Sequence, residues 1–316
     1  MSTTAKPSRP GVHSIDHFAL EIPDLALGRR FYETFGLRVE AQGEGLDIHA
    51  SASPHRWGRL LPGNRKRLAY MAFNCHADNF EALREQAKAG GARFADAHPA
   101  GSSEGFWLLD PDDNRLQVRV GPKTMPDQKT PMRIKHAAGG ERGVLGRSSY
   151  GKVNPRRLSH CLLFTPDVLR MVAFYENVLG LKLSDRAQDL IAFTHGRYGS
   201  DHHLVAFGKS EAKGWHHSSW DVEGLEEVGR GADQMARAGW TRGWGTGRHV
   251  LGSNYFHYIQ DPWGSFIEYS ADIDYVPAGH NWAGDDWPPE DSLSLWGPDV
   301  PDIFLTNTEA PSFKQA

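Results

Sequence analysis

Apolar and polar residues alternate in the same way in two stretches of the chain, IDHFALEIPDLALGRRFYETFGL (15–37) and LSHCLLFTPDVLRMVAFYENVLGL (158–181). In both stretches an alternating apolar run leads to a Pro-Asp pair, after which apolar residues recur at helical spacing up to a Gly-Leu pair. His17 and His160 each lie seven residues before the aspartate of that pair. The pattern predicts a strand, a turn and a helix, written twice.

A second unit is also repeated. The segments LAYMAFNCHADNFEALREQAKAGGARF and WHHSSWDVEGLEEVGRGADQMARAGWTRG each predict a strand, a helix and, after a glycine, another strand. Each unit then closes with a hairpin that has an Asp-Pro turn, FWLLDPDDNRLQV in one and YFHYIQDPWGSFIEY in the other. Four related strand–helix–strands modules, two per domain, predict an α+β fold of two tandem domains.

The repeats also set the expected domain boundaries. We expect a disordered N-terminus over 1–12, domains at 13–120 and 157–275, a linker over 121–156, and a tail over 276–316. The linker is rich in Gly, Pro and basic residues, which is typical of a solvated connection or a loop at a subunit contact. Because the tail contains three tryptophans, it is predicted to fold back over the second domain and cover its site.

Composition narrows the class of protein. A hydrophobic content of 39% among 316 residues is enough for a packed core, and a net charge of −4 provides no general attraction for nucleic acid. The sequence shows neither a secretory signal nor a run of about 20 apolar residues that could span a membrane. Cys75 and Cys161 form no motif. We therefore expect a cytoplasmic protein without nucleic-acid or membrane partners.

Candidate chemistry emerges where the two halves differ. At three corresponding positions the first half has His17, Tyr70 and Gln117, and the second half has His160, His217 and Glu268. A single histidine is commonly structural, but two imidazoles and a carboxylate at homologous strand positions make a good ligand set for a divalent metal. This combination is the facial triad of non-haem Fe(II) oxygenases, and the same donors suit Mn(II) or Zn(II).

The last hairpin, GRHVLGSNYFHYIQDPWGSFIEYS, adds a geometric prediction. In a three-residue loop with a bulge, Gly264 takes the left-handed position and Asp261 pairs with Ser265. Tyr258 then lies directly opposite Glu268, and both side chains point to the same face. The phenol is therefore predicted to lie beside the carboxylate.

At these residues the chain resembles the vicinal oxygen chelate superfamily and, within it, the type I extradiol ring-cleavage dioxygenases. The resemblance extends from His13 through the tail. It is carried by the series H…HH…GRH…SN…Y…DPxG…E, which here comprises His160, His216, His217, Gly247–His249, Ser253, Asn254, Tyr258, the DPWG turn and Glu268. It implies that each domain consists of two βαβββ modules forming an open, barrel-like mixed sheet. It also implies a homo-oligomer that acts on a catechol with O₂.

The resemblance implies roles for particular residues. The metal ligands would be His160, His217 and Glu268, with Fe(II) as the metal, Mn(II) as its alternative, and His216 as the alternative second ligand. His203, with its neighbour His202 as the weaker candidate, matches the residue that handles oxygen and protons. His249 and Tyr258 match the pair that hydrogen-bonds the substrate oxygens.

The sequence departs from relatives that act on carboxylated catechols. Trp244 occupies a position where such a relative has an arginine, and Leu293-Ser294-Leu295 precede the Trp-Gly pair of the tail where further arginines are expected. We therefore expect an apolar alkyl or aryl substituent on the substrate, although Arg242 and Arg248 remain candidates for binding a carboxylate. The expected pocket residues are His202, Trp215, Trp220, Trp244 and Asn254.

Two other functions fit the same scaffold. A glyoxalase-like isomerase or hydrolase would use a metal such as Zn(II) without consuming O₂. A non-enzymatic protein that sequesters small molecules would need no metal triad. Metal content and O₂ consumption separate the three hypotheses.

Overall fold

Strands and helices follow one another in the order that the repeats predict. The computed structural model describes residues 9–51, 53–134 and 136–313. The strands are β1 Ser14–Ile22, β2 Arg38–Gln42, β3 Gly45–His49, β4 Arg56–Pro62, β5 Arg67–Cys75, β6 Arg93–Phe94, β7 Phe106–Leu109, β8 Arg115–Val120, β9 Arg157–Thr165, β10 Lys182–Ala187, β11 Ile191–His195, β12 Ser200–Asp201, β13 Val205–Lys209, β14 Gly214–Asp221, β15 Gly243–His249, β16 Tyr255–Gln260, β17 Phe266–Ala271, β18 Tyr275–Val276 and β19 Ser294–Trp296. The helices are α1 Leu25–Phe35, α2 Phe80–Ala89, α3 Val168–Val178, α4 Leu225–Arg237 and α5 Asp302–Leu305.

Two large mixed sheets have the same internal order. The first runs β2-β3-β4-β1-β5-β8-β7-β6, and the second runs β10-β11-β13-β9-β14-β17-β16-β15-β19. In each sheet two βαβββ modules meet through their first strands, which pair antiparallel as β1 with β5 and as β9 with β14. The predicted α+β fold of two-module domains is confirmed. Strand β19, which comes from the tail, extends the edge of the second sheet.

The register of the strands agrees with the repeat alignment. Residues at corresponding positions are paired in rows across three strands: His17, Ala72 and Gln117 in the first sheet, and His160, Ser219 and Glu268 in the second. The three predicted metal donors therefore lie on neighbouring central strands. A shift of one residue would have turned a side chain to the other face.

The Pro-Asp pairs begin helices because the aspartate caps the first turn. Asp24 accepts a hydrogen bond from the backbone N–H of Leu27 at 2.9 Å, and Asp167 accepts one from Arg170 at 3.0 Å. Each carboxylate thus satisfies an N–H group that has no partner within its helix. The capped helices α1 and α3 lead into the second strand of their modules.

The two halves share one hydrophobic core. Phe18 of β1 lies against Trp215 of β14 with ring centroids 4.9 Å apart, and Phe35 stacks on Tyr269 at 3.8 Å. Both pairs join the first half to the second and are buried. Such contacts hold the second sheet firmly against the first.

The N-terminal prediction needs a correction. Disorder was expected through residue 12, but Val12 is fully buried and its N–H donates to the carbonyl of Leu179 at 2.9 Å. Burial of an apolar side chain and a backbone hydrogen bond order this residue. The remainder of that expectation, over residues 1–8, lies outside the described residues.

No helix in the described ranges is both long enough and apolar enough to cross a membrane. Cys75 and Cys161 are both buried as free thiols.

Candidate metal centre and active site

Three side chains from neighbouring strands converge in the second sheet. His160 lies on β9, His217 on β14 and Glu268 on β17, and one candidate ligand atom of each lies within 4.8 Å of the others. Oε2 of Glu268 is 3.3 Å from Nε2 of His160 and 3.8 Å from Nε2 of His217. Donor atoms that share one metal at about 2.1 Å lie roughly 3 Å apart, so these spacings suit one shared cation.

Two of these donor atoms are otherwise unsatisfied. Nε2 of His217 and Oε2 of Glu268 are buried and have no hydrogen-bond partner among the described residues. A buried carboxylate without full pairing is costly. Burial, and then the neighbouring His216, lower the pKa of His217 well below its ordinary value. The neutral ring therefore keeps a lone pair for a metal, and the donor set fits a divalent ion.

The second oxygen of the carboxylate is held by an amide. Asn254 donates through Nδ2 to Oε1 of Glu268 at 3.0 Å and to Oγ of Ser270 at 2.9 Å. This bond fixes the carboxylate with Oε2 directed towards the two histidines. Asn254 also lines the adjacent cavity, as expected of a pocket residue.

His249 and Tyr258 form a hydrogen-bonded pair beside the donors. Tyr258 is paired with Glu268 across β16 and β17, which is the predicted register, and its hydroxyl lies 2.9 Å from Nε2 of His249. Burial and then the Glu268 carboxylate raise the pKa of Tyr258 well above its usual range, so the phenol remains protonated. Burial likewise lowers the pKa of His249.

The turn that sets this register has the predicted form. The N–H of Asp261 donates to the carbonyl of Ser265 at 2.7 Å, and Gly264 adopts a φ of 94°. This left-handed conformation is one that glycine adopts without strain.

His203 and His202 point to different surroundings. His203 lines the cavity, with its ring centroid 3.9 Å from that of His160. Burial and then His160 lower its pKa well below the ordinary value. His202 instead directs Nε2 to the carboxylate of Asp185 at 2.7 Å. It is therefore not a pocket residue, and the expectation that it lines the pocket is wrong.

The cavity beside the donors has a volume of about 330 Å³, which is in the range of small-molecule sites. Its wall is mostly apolar, and the apolar side chains that contribute to it are Leu162, Phe164, Leu190, Ile191, Phe193, Leu251, Pro289, Leu293, Phe304 and Leu305. Lys209 also lines it, but its ammonium is paired with Asp189. The sequence pattern did not predict this wall. Leu162 and Phe164 could have been found, because they lie two and four residues after His160 in one strand.

The predicted tryptophan pocket is also wrong. Trp215 and Trp220 face the hydrophobic core, where both contact Phe18. The bulge at His216 reverses the alternation between Trp215 and His217, so Trp215 faces the core although it lies two residues before His217. Trp220 lies three residues after His217 and faces the core as regular alternation requires. Trp244 stacks behind Tyr258 at 5.6 Å and does not line the cavity.

The tail lies over the site, but residues other than its tryptophans make the contact. Leu293 and Phe304 line the cavity, and Phe304 packs on Tyr258 with centroids 4.7 Å apart. Trp282 and Trp287 instead donate their indole N–H groups to the carboxylate of Asp185. The apolar and backbone groups of the tail thus form the cover.

The corresponding position in the first half is filled by its own side chains. Nε2 of His17 lies 3.0 Å from the guanidinium of Arg56 and 3.1 Å from the hydroxyl of Tyr70. Gln117 donates to the carbonyls of Ser102 and Glu104. Burial is the main cause that lowers the pKa of His17 to about 4. A guanidinium at this point excludes a cation, which explains why the two halves differ.

The chain is similar in sequence to known proteins. Residues 157–269, which include all three donors, match the family described as Glyoxalase/Bleomycin resistance protein/Dioxygenase superfamily. The chain is 57% identical over 306 residues to Metapyrocatechase 2 of Cupriavidus necator, covering 97% of this chain and 95% of that protein. It is 24% identical over 263 residues to the manganese-dependent 2,3-dihydroxybiphenyl 1,2-dioxygenase of Geobacillus genomosp. 3, covering 78% of this chain and 80% of that one.

The fold also matches solved structures. Homoprotocatechuate 2,3-dioxygenase from Arthrobacter globiformis superposes with a TM-score of 0.74 at 21% identity, over 97% of this chain and 95% of that one. At this identity the likeness establishes the shared fold.

Proposed function

Since this chain belongs to the type I extradiol dioxygenases of the glyoxalase/bleomycin resistance protein/dioxygenase superfamily, which open a catechol ring beside its hydroxyl pair, we propose that it does so with Fe(II) and prefers apolar substituents. O₂ is the co-substrate, and both of its atoms enter a ring-opened product of the hydroxymuconic semialdehyde type. The metal would be held by His160, His217 and Glu268.

The convergence of these three buried donors carries the proposal. Two imidazoles and one carboxylate leave coordination positions open for other ligands. When bound, the ferrous ion would supply a binding point for the catechol oxygens and for O₂, and it would make the catechol hydroxyl groups more acidic. The donor set also suits Mn(II), on which a relative of this chain depends by its name. Our choice of Fe(II) rests on the preference of this triad.

His249 and Tyr258 are suited to orient the substrate. The carbonyl of Leu293 can only accept a hydrogen bond, so Nδ1 of His249, 2.6 Å away, carries the hydrogen. Nε2 of His249 is therefore an acceptor, and the hydroxyl of Tyr258 donates to it. A catechol in the cavity would meet one acceptor and one phenol side by side. We assign His249 to accept a proton from a substrate hydroxyl and Tyr258 to hold the substrate oxygen.

His203 is suited to proton transfer on the same cavity. Because burial keeps its imidazole neutral, it can take up a proton during the reaction and return it to the product. Its neighbour His202 supports it from behind, with the two Nδ1 atoms 3.1 Å apart.

The preference for an apolar substituent rests on the wall of the cavity. Lys209, the cation on this wall, is paired with Asp189. The guanidinium of Arg248 donates to the Tyr255 hydroxyl and the Ser253 carbonyl instead of lining the cavity. A substrate carboxylate would therefore lose its hydration and would have to compete with Asp189 for the Lys209 ammonium, whereas an alkyl or aryl group would be buried favourably.

Anaerobic protein loaded with Fe(II) provides the test. It is given catechol, 3-methylcatechol, 3-phenylcatechol or 3,4-dihydroxyphenylacetate, and air is then admitted while absorbance and O₂ are recorded. We expect a yellow product and one O₂ consumed per catechol, with the highest kcat/KM for the apolar substrates. Lack of product across the panel would reject the assignment. Metal binding without O₂ uptake would favour a glyoxalase-like isomerase, and ligand binding without a metal would favour sequestration.

A further inference from the structure

Two consecutive histidines of β14 have interacting rings. Adjacent side chains on a strand normally point to opposite faces. Here the pairing with β9 passes from Trp215 opposite Leu163 to His217 opposite Leu162, which leaves His216 as the extra residue of a bulge. The two Nδ1 atoms of the histidines are consequently only 2.6 Å apart.

The other side of His216 contacts the tail. Its Nε2 lies 2.8 Å from the backbone carbonyl of Phe304 in α5. A carbonyl can only accept, so this nitrogen carries the hydrogen. A neutral, buried imidazole has one hydrogen, which leaves Nδ1 of His216 as an acceptor. His217 must then carry its hydrogen on Nδ1, and its Nε2 remains bare beside Glu268.

We propose that His216 is a positioning residue that links the Phe304 carbonyl of the tail to His217 and fixes the tautomer whose Nε2 binds the metal. Docking of the tail and metal binding are thereby coupled. This inference rests on the proposed role of His217 as a ligand. A partner that fixes the ring of a metal ligand commonly contributes 10–100-fold to metal affinity.

Two further histidines of the site, His249 and His203, are also supported from the side of the tail, and His203 receives its support through His202. Nδ1 of His249 lies 2.6 Å from the carbonyl of Leu293. Asp185 accepts the indole N–H groups of two tail tryptophans and also lies 2.7 Å from Nε2 of His202, whose Nδ1 approaches that of His203. The tail thus supplies or holds a hydrogen-bond acceptor behind His216, His249 and His202. Such repetition is expected of a segment that completes the site, and His216 is the member that reaches a metal donor.

A purely packing role for His216 makes a different prediction. Its ring lies among Phe164, Phe266 and Phe304, with centroids 4.6–5.6 Å away. If packing alone mattered, phenylalanine would replace it without loss. If the ring nitrogens matter, the role of each can be tested separately. Asparagine places an oxygen at the position of Nδ1, and glutamine places a donor at the position of Nε2.

The test compares His216→Asn, His216→Gln and His216→Phe with the wild-type chain, using Mn(II) as the probe and the EPR signal of the free ion to measure its Kd. We expect His216→Gln and His216→Phe to raise the Kd by about 10–100-fold and His216→Asn to stay within about threefold. Equal Kd values for wild type and His216→Phe, or equal weakening in all three variants, would overturn the proposal. Near-ultraviolet circular dichroism checks that each variant is folded.

A second measurement does not depend on metal binding. In metal-free protein labelled with ¹⁵N-histidine, nitrogen–proton correlation spectra show which ring nitrogen carries the hydrogen. We expect His217 to be the Nδ1–H tautomer in wild type and in His216→Asn, and a mixture in His216→Phe. A wild-type mixture would overturn the relay. If the proposed function itself were wrong, the result would differ: wild type and Glu268→Ala would bind Mn(II) equally poorly, whichever tautomer His217 adopts.

Amide hydrogen exchange measures the coupling between metal binding and the tail. Mn(II) should slow amide hydrogen exchange of the segment 301–306 in wild type, because metal binding holds His217 and, through His216, the Phe304 carbonyl. His216→Phe lacks the link and should show no such slowing. Equal slowing in both proteins would contradict the coupling.

Discussion

Lys66 of the first half and Glu309 of the tail form a largely buried ion pair, with Nζ 2.6 Å from Oε1. The Lys66 side chain is only 2% exposed, and its ammonium also donates to the carbonyl of Trp215 at 3.1 Å. The same Oε1 accepts the backbone N–H of Trp215 at 3.0 Å. One lysine therefore ties the first half, the second sheet and the tail together.

Removing this ammonium should destabilise the protein and loosen the tail. Lys66→Met leaves the Glu309 carboxylate, whose side chain is only 13% exposed, without its cation; the loss of one partner of a fully buried pair costs about 3–5 kcal/mol, which is the upper limit here. Urea unfolding followed by fluorescence measures the loss, and proteolysis near residue 309 measures release of the tail. Arg67→Met is the matched control, because Arg67 pairs with Glu21 at the surface, and such pairs contribute about 1 kcal/mol or less. Equal losses in both variants would contradict the role assigned to Lys66.

Glu268→Gln should separate metal binding from folding. Oε2 of the fully buried carboxylate has no hydrogen-bond partner among the described residues, so a neutral amide should leave the apoprotein at least as stable. Mn(II) should raise the Tm of wild type, because it binds only the folded state, and should leave the Tm of Glu268→Gln unchanged. The exposed Glu290 provides the control substitution Glu290→Gln. Equal metal-induced shifts in wild type and Glu268→Gln would remove Glu268 from the ligand set.

His203→Phe should impair turnover more than binding. The ring lines the cavity without belonging to the three-donor cluster, so metal content and KM should change little. Loss of a positioned proton donor and acceptor typically lowers kcat by about 10²–10⁴-fold. Steady-state kinetics and iron analysis test this expectation, with the exposed His280→Phe as control. Loss of iron together with activity would instead assign His203 to metal retention.

The internal repeat made the clustering of the candidate donors predictable from sequence, since the second half has His217 and Glu268 where the first half has Tyr70 and Gln117. The hairpin register followed equally from Gly264. The face of Trp215 did not, because it depends on a bulge at His216 that the residue pattern does not reveal. The support given by tail carbonyls was also hidden, since every residue has a carbonyl and the sequence does not show which one approaches a histidine.

A buried histidine away from the metal donors should make the fold sensitive to acid. Burial is the main cause that lowers the pKa of His195 to about 3, below its unfolded value of about 6.5. Between these values the unfolded chain binds a proton that the folded chain excludes, so this contribution is fully present above about pH 6.5 and is lost as the pH falls.

Each pH unit in that window corresponds to about 1.4 kcal/mol for one such group. His195→Asn should therefore lose less stability than wild type between pH 7 and 4.5, by roughly 2–3 kcal/mol in the urea-derived free energy of unfolding. Since carboxylates titrate in both proteins, the difference between them isolates His195. Parallel pH profiles would show that His195 does not contribute.

A cation at the mouth of the cavity should change substrate preference. Leu305 lines the cavity and is 60% exposed, so the guanidinium of Leu305→Arg can remain hydrated and still reach an entering substituent. The cavity otherwise lacks an unpaired cation among its described lining residues, because Lys209 is held by Asp189. Leu305→Arg should therefore raise kcat/KM for 3,4-dihydroxyphenylacetate relative to 3-phenylcatechol by about tenfold, as one charge-assisted hydrogen bond of roughly 1.5 kcal/mol would give. Leu295→Arg is the matched control, because Leu295 is 67% exposed in the same tail and does not line the cavity. If Leu295→Arg shifts the ratio as much, the change reflects general attraction of anions and not a contact at the mouth, and the added charge should then lose its effect at high ionic strength.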